Sequence, residues 1–195
     1  CDLTFENHYI LGRLYDRQGE YSKGLYHLQF YYESQRNKQD AFGQFKALTF
    51  ISVNYCSLEE WERAFELQLE CLRLSEEIED KSHRYDALNN LCDICISKKE
   101  LERAEEYALA LEEEYVKLNS ALLKTTVLTT LLELRTMQER WSEASTLAKQ
   151  LKELHEQRSV SPSFRVFLEG MKSLGVLAFK QGNFQEALLF LEDSF

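Results

Sequence analysis

The sequence predicts an all-α protein assembled from five helix-turn-helix repeats, and three observations carry that prediction. One proline and seven glycines in 195 residues are too few turn formers for a sheet-rich fold, so helices joined by short connections are favoured. Apolar residues recur three and four apart along most of the chain, the period of an amphipathic helix. A local pattern also returns at a nearly constant interval. Tyr21, Trp61, Leu101, Trp141 and Phe184 are each followed, three residues on, by Gly24, Ala64, Ala104, Ala144 and Ala187, with spacings of 40, 40, 40 and 43. A fixed period of this length is the mark of a repeat protein.

Taken in order, the first repeat covers about 5–36 and reads HYILGRLYDRQG, then EYSKGLYHL. Its spacing predicts helices over 5–17 and 21–36. The second, 41–78, carries LTFISVNYCSLEE and EWERAFELQ on helices 41–56 and 59–78. The third, 82–116, pairs 82–97 with 100–116. The fourth, 121–157, pairs 121–138 with 141–157. The fifth, 163–195, pairs 163–180 with 184–195 and returns to the Leu-Gly of the first in MKSLGVLAFKQG. SVSPSF at 159–164, the one stretch with a proline, absorbs the three extra residues of the last interval as a longer connection. No such helix pair buries its apolar face alone, so neighbouring pairs must stack into one array over 1–195.

In LGRLYDRQGEYSKGLYHL and LGVLAFKQGNFQEALLFL, Leu-Gly stands on the first helix and a Gly precedes the turn. An aromatic-x-x-small pattern follows on the second helix. These motifs resemble the tetratricopeptide repeat (TPR) family, and the resemblance runs along nearly the whole chain. The inner repeats depart from it: Ser52, Cys92 and Leu132 replace the glycine, no proline closes any repeat, and the period is longer than the commonest form. The resemblance implies a right-handed α-α superhelix, a TPR solenoid, with first helices lining a concave groove and second helices forming the convex back. The spacing is similar to TPR arrays of bacterial regulatory proteins, such as Rap-type peptide-pheromone receptors and sensory arrays placed before diguanylate cyclase or kinase domains.

Composition narrows the function classes. The net charge is −10, with acids dominating long stretches. Nucleic acid is not an expected partner, because a binding face must neutralise phosphates with basic residues. No apolar run reaches the ~18–20 residues of a membrane span, and the first twenty residues do not read as a signal peptide. The expectation is a cytoplasmic protein with no membrane partner. The chain lacks an initiator Met and ends on LEDSF, where Leu188, Leu189, Leu191 and Phe195 are short of packing partners. It is therefore read as a fragment of a longer protein, with a homodimer as a secondary expectation.

Cys92-Asp-Ile-Cys95 has the C-x-x-C spacing of a redox or metal pair. The repeat supplies a different reading. Cys92 falls in the slot of Gly12 and Gly175, where helices approach closely, and Cys95 falls in the packing slot of Tyr15 and Tyr55. His8, His27, His83 and His155 show no mutual ligand spacing. The carboxylates of LEEEY and SEEIED read as solvated helix ends, and no phosphate-binding loop or nucleophile elbow is present. The expected protein is non-catalytic, with no cofactor and no metal site.

The register places Tyr9, Arg13, Lys46, Thr49, Asn89, Asn90, Asp93, Thr129, Glu133 and Lys172 in the groove, with Asp86 and Glu169 beside them. An Asn amide offers a donor and an acceptor, which match the backbone of an extended peptide. TPR proteins often use groove asparagines so, and the resemblance singles out Asn89 or Asn90. Carboxylates gather toward the third and fourth repeats, which suits a ligand with a basic segment there. A carboxylate clamp of the cochaperone type is set aside, because Asp86 would repel a terminal carboxylate. The expected function is a protein- or peptide-binding scaffold, sensory or regulatory, in signalling. The alternatives are an oligomerisation module for an output domain such as a diguanylate cyclase or kinase, and, more distantly, a thiol-redox protein using Cys92 and Cys95.

Overall fold

The structure, a computed structural model, describes residues 3–78, 82–115, 121–156 and 164–192. Among these residues there are ten α-helices and no strand: α1 (Leu3–Arg17), α2 (Tyr21–Asn37), α3 (Ala41–Ser57), α4 (Trp61–Leu74), α5 (Ser82–Ser97), α6 (Leu101–Tyr115), α7 (Ala121–Met137), α8 (Trp141–Glu156), α9 (Phe164–Lys180) and α10 (Phe184–Glu192). Every expected helix pair is present. The largest difference is α4, which ends at Leu74 rather than 78; there Ser75 turns its hydroxyl back to the Leu72 carbonyl at 2.6 Å, a bond that competes with helix continuation. Most of the proline-containing connection lies outside the described residues. No helix among them is long and apolar enough to cross a membrane.

The turn inside each repeat is built the same way. Gly19, Glu59, Lys99, Glu139 and Gly182 all have left-handed backbone, with φ between 59° and 79°. Each stands seven residues after the glycine slot of its repeat. At the end of α1, the Glu20 amide donates to the Tyr15 carbonyl at 2.9 Å and the Gly19 amide to that of Asp16 at 3.0 Å. The same two bonds recur after α3, α7 and α9. This is the Schellman closure, which satisfies the last carbonyls of a helix and normally uses glycine. The inner repeats keep the conformation without the glycine, at a cost of about 1 kcal/mol or more per residue. Glu59→Gly and Glu139→Gly are therefore each expected to stabilise by about 0.5–1 kcal/mol, read as a higher urea midpoint. An unchanged or lower midpoint would contradict this account of the turn.

The glycine slot itself explains why the inner repeats dispense with glycine. A Cβ on Gly12 would stand 2.5 Å from Leu28 Cγ, and one on Gly175 would stand 2.7 Å from Leu191 Cγ. In both cases the partner lies sixteen residues on, on the second helix of the pair. In the second repeat the same two positions are Ser52 and Gln68, and Gln68 Nε2 donates to Ser52 Oγ at 2.5 Å. In the fourth they are Leu132 and Ala148, packed in one apolar cluster. In the third they are Cys92, fully buried, and Ala108, also fully buried. Gly is matched by Leu, Cys and Leu by Ala, and Ser by Gln. Volume at the crossing is conserved by exchanging bulk between the two helices, as close packing requires.

The chain divides into two compact units, Cys1–Lys98 with α1 to α5 and Lys99–Phe195 with α6 to α10. The first has two neighbouring cores, one around Tyr9, Leu28, Tyr31, Ala47 and Ile51, the other around Phe45, Leu48, Cys71, Leu74 and Ala87. The second is centred on Leu128, Leu132, Ala144, Ala148, Leu151, Leu174 and Leu177. It also buries Arg135, whose guanidinium is held by Glu105, by Glu112 at 2.9 Å and by Glu143 at 3.2 Å.

Candidate functional site

Within the first unit, the first helices α1, α3 and α5 present a face whose contacts pass from helix to helix. Phe42, Lys46 and Phe50 are four residues apart on α3 and so stand on one side of it; Tyr9 and Arg13 do the same on α1. The Arg13 guanidinium carbon lies 4.8 Å from the centre of the Phe50 ring and 5.5 Å from that of Tyr9. Lys46 Nζ lies 4.6 Å from the Tyr9 ring centre and 5.2 Å from that of Phe42. His83, near the start of α5, meets Phe42 and Phe45 edge-on at 5.1 and 4.9 Å. Cations and rings alternate across α1 and α3, and the His83 ring joins them from α5. Burial pushes the Tyr9 phenol up, and the charge and hydrogen bond of Arg13 offset part of that rise.

The two asparagines of α5 take different places. Asn89 is buried, and its Nδ2 donates to Asp93 Oδ2 at 3.0 Å. It positions a carboxylate. Asn90 is half-buried, in the repeat position that carries Ile10 on α1 and Phe50 on α3. Asp86 and Asp93 are also half-buried, so α5 offers carboxylates where α1 and α3 offer cations. Thr49 is half-buried, with its hydroxyl donating to the Phe45 carbonyl at 2.9 Å and standing 3.7 Å from Cys71 Sγ.

In the second unit, Thr129 is buried and its hydroxyl donates to the Thr125 carbonyl at 2.9 Å. Glu133 on α7 and Lys172 on α9 are exposed. The Glu169 side chain lies outside the described residues. Tyr9, Thr49, Asn89 and Thr129 share one repeat position, and three of the four are buried, so this position faces largely inward. Seven of the ten sequence-predicted residues thus fall on helices of the first unit. Phe42, Phe50 and His83 were not among them. Their signal was present: aromatic residues at Phe42 and Phe50 flank Lys46 at helical spacing.

His8 and His27, which the sequence spacing left unconnected, meet between α1 and α2 with their Nδ1 atoms 2.8 Å apart. One ring must donate and the other accept, and burial followed by the neighbouring ring holds His27 below the ordinary imidazole value. Among the described residues no group of three or more His, Cys, Asp or Glu is placed to hold a metal ion.

Cys92 and Cys95 are fully buried thiols on α5, and Cys71 is a free, fully buried thiol on α4. Burial pushes the Cys71 thiol up to about 12, against a smaller lowering by the Thr49 hydroxyl. A thiol in that state carries almost no thiolate near neutral pH and is inert. Iodoacetamide at pH 8, mapped by peptide mass, is expected to leave Cys71 unmodified in the native protein and to modify it in urea. Rapid native labelling of Cys71 would contradict the packing role.

Fold and face together define an α-helical repeat protein whose first helices carry a mixed-charge, aromatic-lined surface. Residues 45–85 match the family model described as tetratricopeptide repeat. Solved structures show the same fold. The apo form of RapI aligns with a TM-score of 0.73 at 14% identity, over 97% of this chain and 81% of that one. BtubC (BKLC) from P. vanneervenii aligns at 0.77 and 18% identity, over 97% and 77%. The nearly identical, kinesin light chain-like TPR-like repeats of Podosopora anserina align at 0.71 and 15% identity, over 97% and 92%. At these identities the likeness concerns the fold alone. No curated protein sequence matches the chain.

Proposed function

We propose that the protein is a non-catalytic scaffold that binds a protein or peptide segment along the face of α1, α3 and α5, as a sensory or regulatory domain in cytoplasmic signalling. The observation that carries this reading is the set of half-buried side chains on the first helices α1, α3 and α5, Arg13, Lys46, Phe50, Asn90 and Asp93, with both cations lying over rings. Asn90 is the residue assigned to the ligand backbone, since the Asn89 amide is committed to Asp93. A basic segment of the ligand is matched to Asp86 and Asp93.

Asn90→Ala is expected to weaken the physiological partner roughly five- to a hundredfold, the cost of about 1–3 kcal/mol for one lost buried hydrogen bond. The thermal midpoint is expected to stay nearly unchanged. Parallel pull-downs from the native host with wild type and variant test this, and equal capture of every partner by both would remove Asn90 from the site. The second reading, self-association as an oligomerisation module, is supported by Phe184, Leu188 and Leu189, which stand 65%, 57% and 63% exposed on α10. Sedimentation without any ligand separates it: a concentration-dependent dimer abolished by Leu189→Glu favours it over the scaffold reading.

A further inference from the structure

We infer that the junction of the fourth and fifth repeats holds a binding site for a small aromatic acid, a single ring with a short carboxylate arm. The inference is independent of the peptide-binding reading above, because the site lies in the second unit, between α8, α9 and α10. A cavity of about 220 Å³ opens there. Its floor is buried and apolar, made by Ala148, Leu174, Leu177 and Ala178, and Phe190 stands at its side. Its rim is polar. Lys152 Nζ bonds Glu186 at 2.6 Å and lies 4.7 Å from the centre of the Phe190 ring. Gln181 Nε2 donates to Ser145 Oγ at 2.9 Å.

The other junctions show what is missing. Two repeat positions line this place: the fourth residue after the leading residue of one repeat, and the third after the glycine slot of the next. At the first junction they are Leu25 and Tyr55, both packed on the core around Leu28 and Ile51. The Arg63 guanidinium carbon lies 5.6 Å from the centre of the Tyr55 ring. At the second they are Phe65 and Cys95, both buried. At the third they are Glu105 and Arg135, an ion pair. Each pair includes at least one bulky side chain, a ring at the first two junctions and a guanidinium at the third. At the fourth they are Ser145 and Ala178, both small, and the cavity lies beside them. The exchange of bulk that fills the glycine slots fails here, and an unfilled space of this kind lowers stability unless a ligand fills it. An apolar cavity of about 150 Å³ accommodates benzene, so this one has room for a ring and a short arm. A ring is also what fills this place at two of the other three junctions. The acidic arm follows from the rim. Lys149, 79% exposed, lines the cavity and stands 3.9 Å from Glu153, a separation at which an exposed ion pair holds little. It can turn to a ligand carboxylate, whereas a cationic arm would meet both Lys149 and Lys152.

The test is an NMR titration of the isotope-labelled full chain with phenylpropionate, phenylpropanol, phenylpropylamine, butyrate and a capped Phe-Glu dipeptide. Saturable shifts of the amides of Ser145, Ala148, Ala178 and Gln181 are expected with phenylpropionate. They should be weaker with the alcohol and the dipeptide, and absent with the amine and with butyrate. Lys149→Gln should weaken phenylpropionate about fivefold, one exposed charge-assisted contact, and Lys149→Arg should retain it. Ala178→Tyr places in the fifth repeat the residue of the first junction. It should abolish binding and raise the urea midpoint of the second unit. Ser145→Leu should do the same from α8, and it decides the matter if Ala178→Tyr does not fold. Unweakened binding by the variant that folds would place the ligand elsewhere and overturn the site. Equal binding of acid and alcohol, or of phenylpropionate and butyrate, would remove the arm or the ring and overturn the inference. Tighter binding of the dipeptide would assign the cavity to a protein side chain and overturn it as well, as would the absence of shifts with every probe.

Discussion

Gly12→Leu is expected to cost about 3 kcal/mol or more of stability in the first unit, and adding Leu28→Ala in the same chain is expected to return about 2 kcal/mol of it. The Gly12 Cα faces Leu28, and even a methyl group there would stand 2.5 Å from Leu28 Cγ and 3.2 Å from the Gly24 carbonyl. Leu28→Ala alone should cost about 2–5 kcal/mol, because a fully buried leucine is removed and a cavity remains. The double variant has the combination found at Leu132 and Ala148. Its two members should therefore rescue each other. The chain provides its own reporters: Trp61 lies in α4 and Trp141 in α8, so a Trp141→Phe background follows the first unit by fluorescence. Costs that simply add, within about 0.5 kcal/mol, would mean that bulk is not exchanged between the two helices.

The second large effect is expected at Arg135. It is 2% exposed, yet it carries a full charge among Glu105, Glu112, Glu143 and Gln138. Arg140 joins the same group, bonding Glu105 at 2.9 Å and Glu143 at 2.8 Å. Removing one partner of a buried ion pair typically costs about 3–5 kcal/mol. Here the carboxylates are partly exposed and regain water, so Arg135→Ala is expected at the lower end, about 3 kcal/mol. The loss should depend on pH. Burial acts to raise the Glu105 carboxyl, but hydrogen bonds from Gln138, Arg140 and Arg135 outweigh it and hold the group below its ordinary value. A carboxyl lowered on folding contributes stability above its unfolded value, about 4.3, and loses it as pH falls through the folded value. The gap in urea midpoint between wild type and Arg135→Ala should therefore be full at pH 7 and narrow below pH 4. A gap of constant size would assign the effect to lost packing alone.

The helices were legible because the repeat wrote the same apolar period five times over. Even the inner turns, without their glycine, fell between correctly placed helices, since the Schellman bonds depend on backbone geometry that Glu59 and Glu139 can still adopt. The pairing of slot and partner sixteen residues on was equally present in the sequence. It was hidden because each member alone looks like a departure from the family pattern. The candidate face was less legible than the helices that carry it. Counting from the Leu-Gly position assigned the candidate residues to the first helices, but a helix turns 100° per residue, and neighbouring positions differ in burial. Asn89 and Thr129 turned inward, whereas Asn90 stayed at the surface. The contact between His8 and His27 joins two helices and had no local signal. The cation-on-ring arrangement of Arg13 and Lys46 depends on α1 and α3 meeting, which spacing within one helix does not reveal.

The central claim is that the first helices of the first unit, rather than the Glu-rich second helices, form the working surface. Its most direct test is hydrogen–deuterium exchange of the full chain, free and saturated with a peptide selected from a random display library, read peptide by peptide along the sequence. Binding is predicted to slow exchange in α1, α3 and α5, centred on Arg13, Lys46 and Asn90, and to leave α2 and α4 unchanged. Protection confined to α2 and α4 would place the binding surface on the opposite helices and contradict the account.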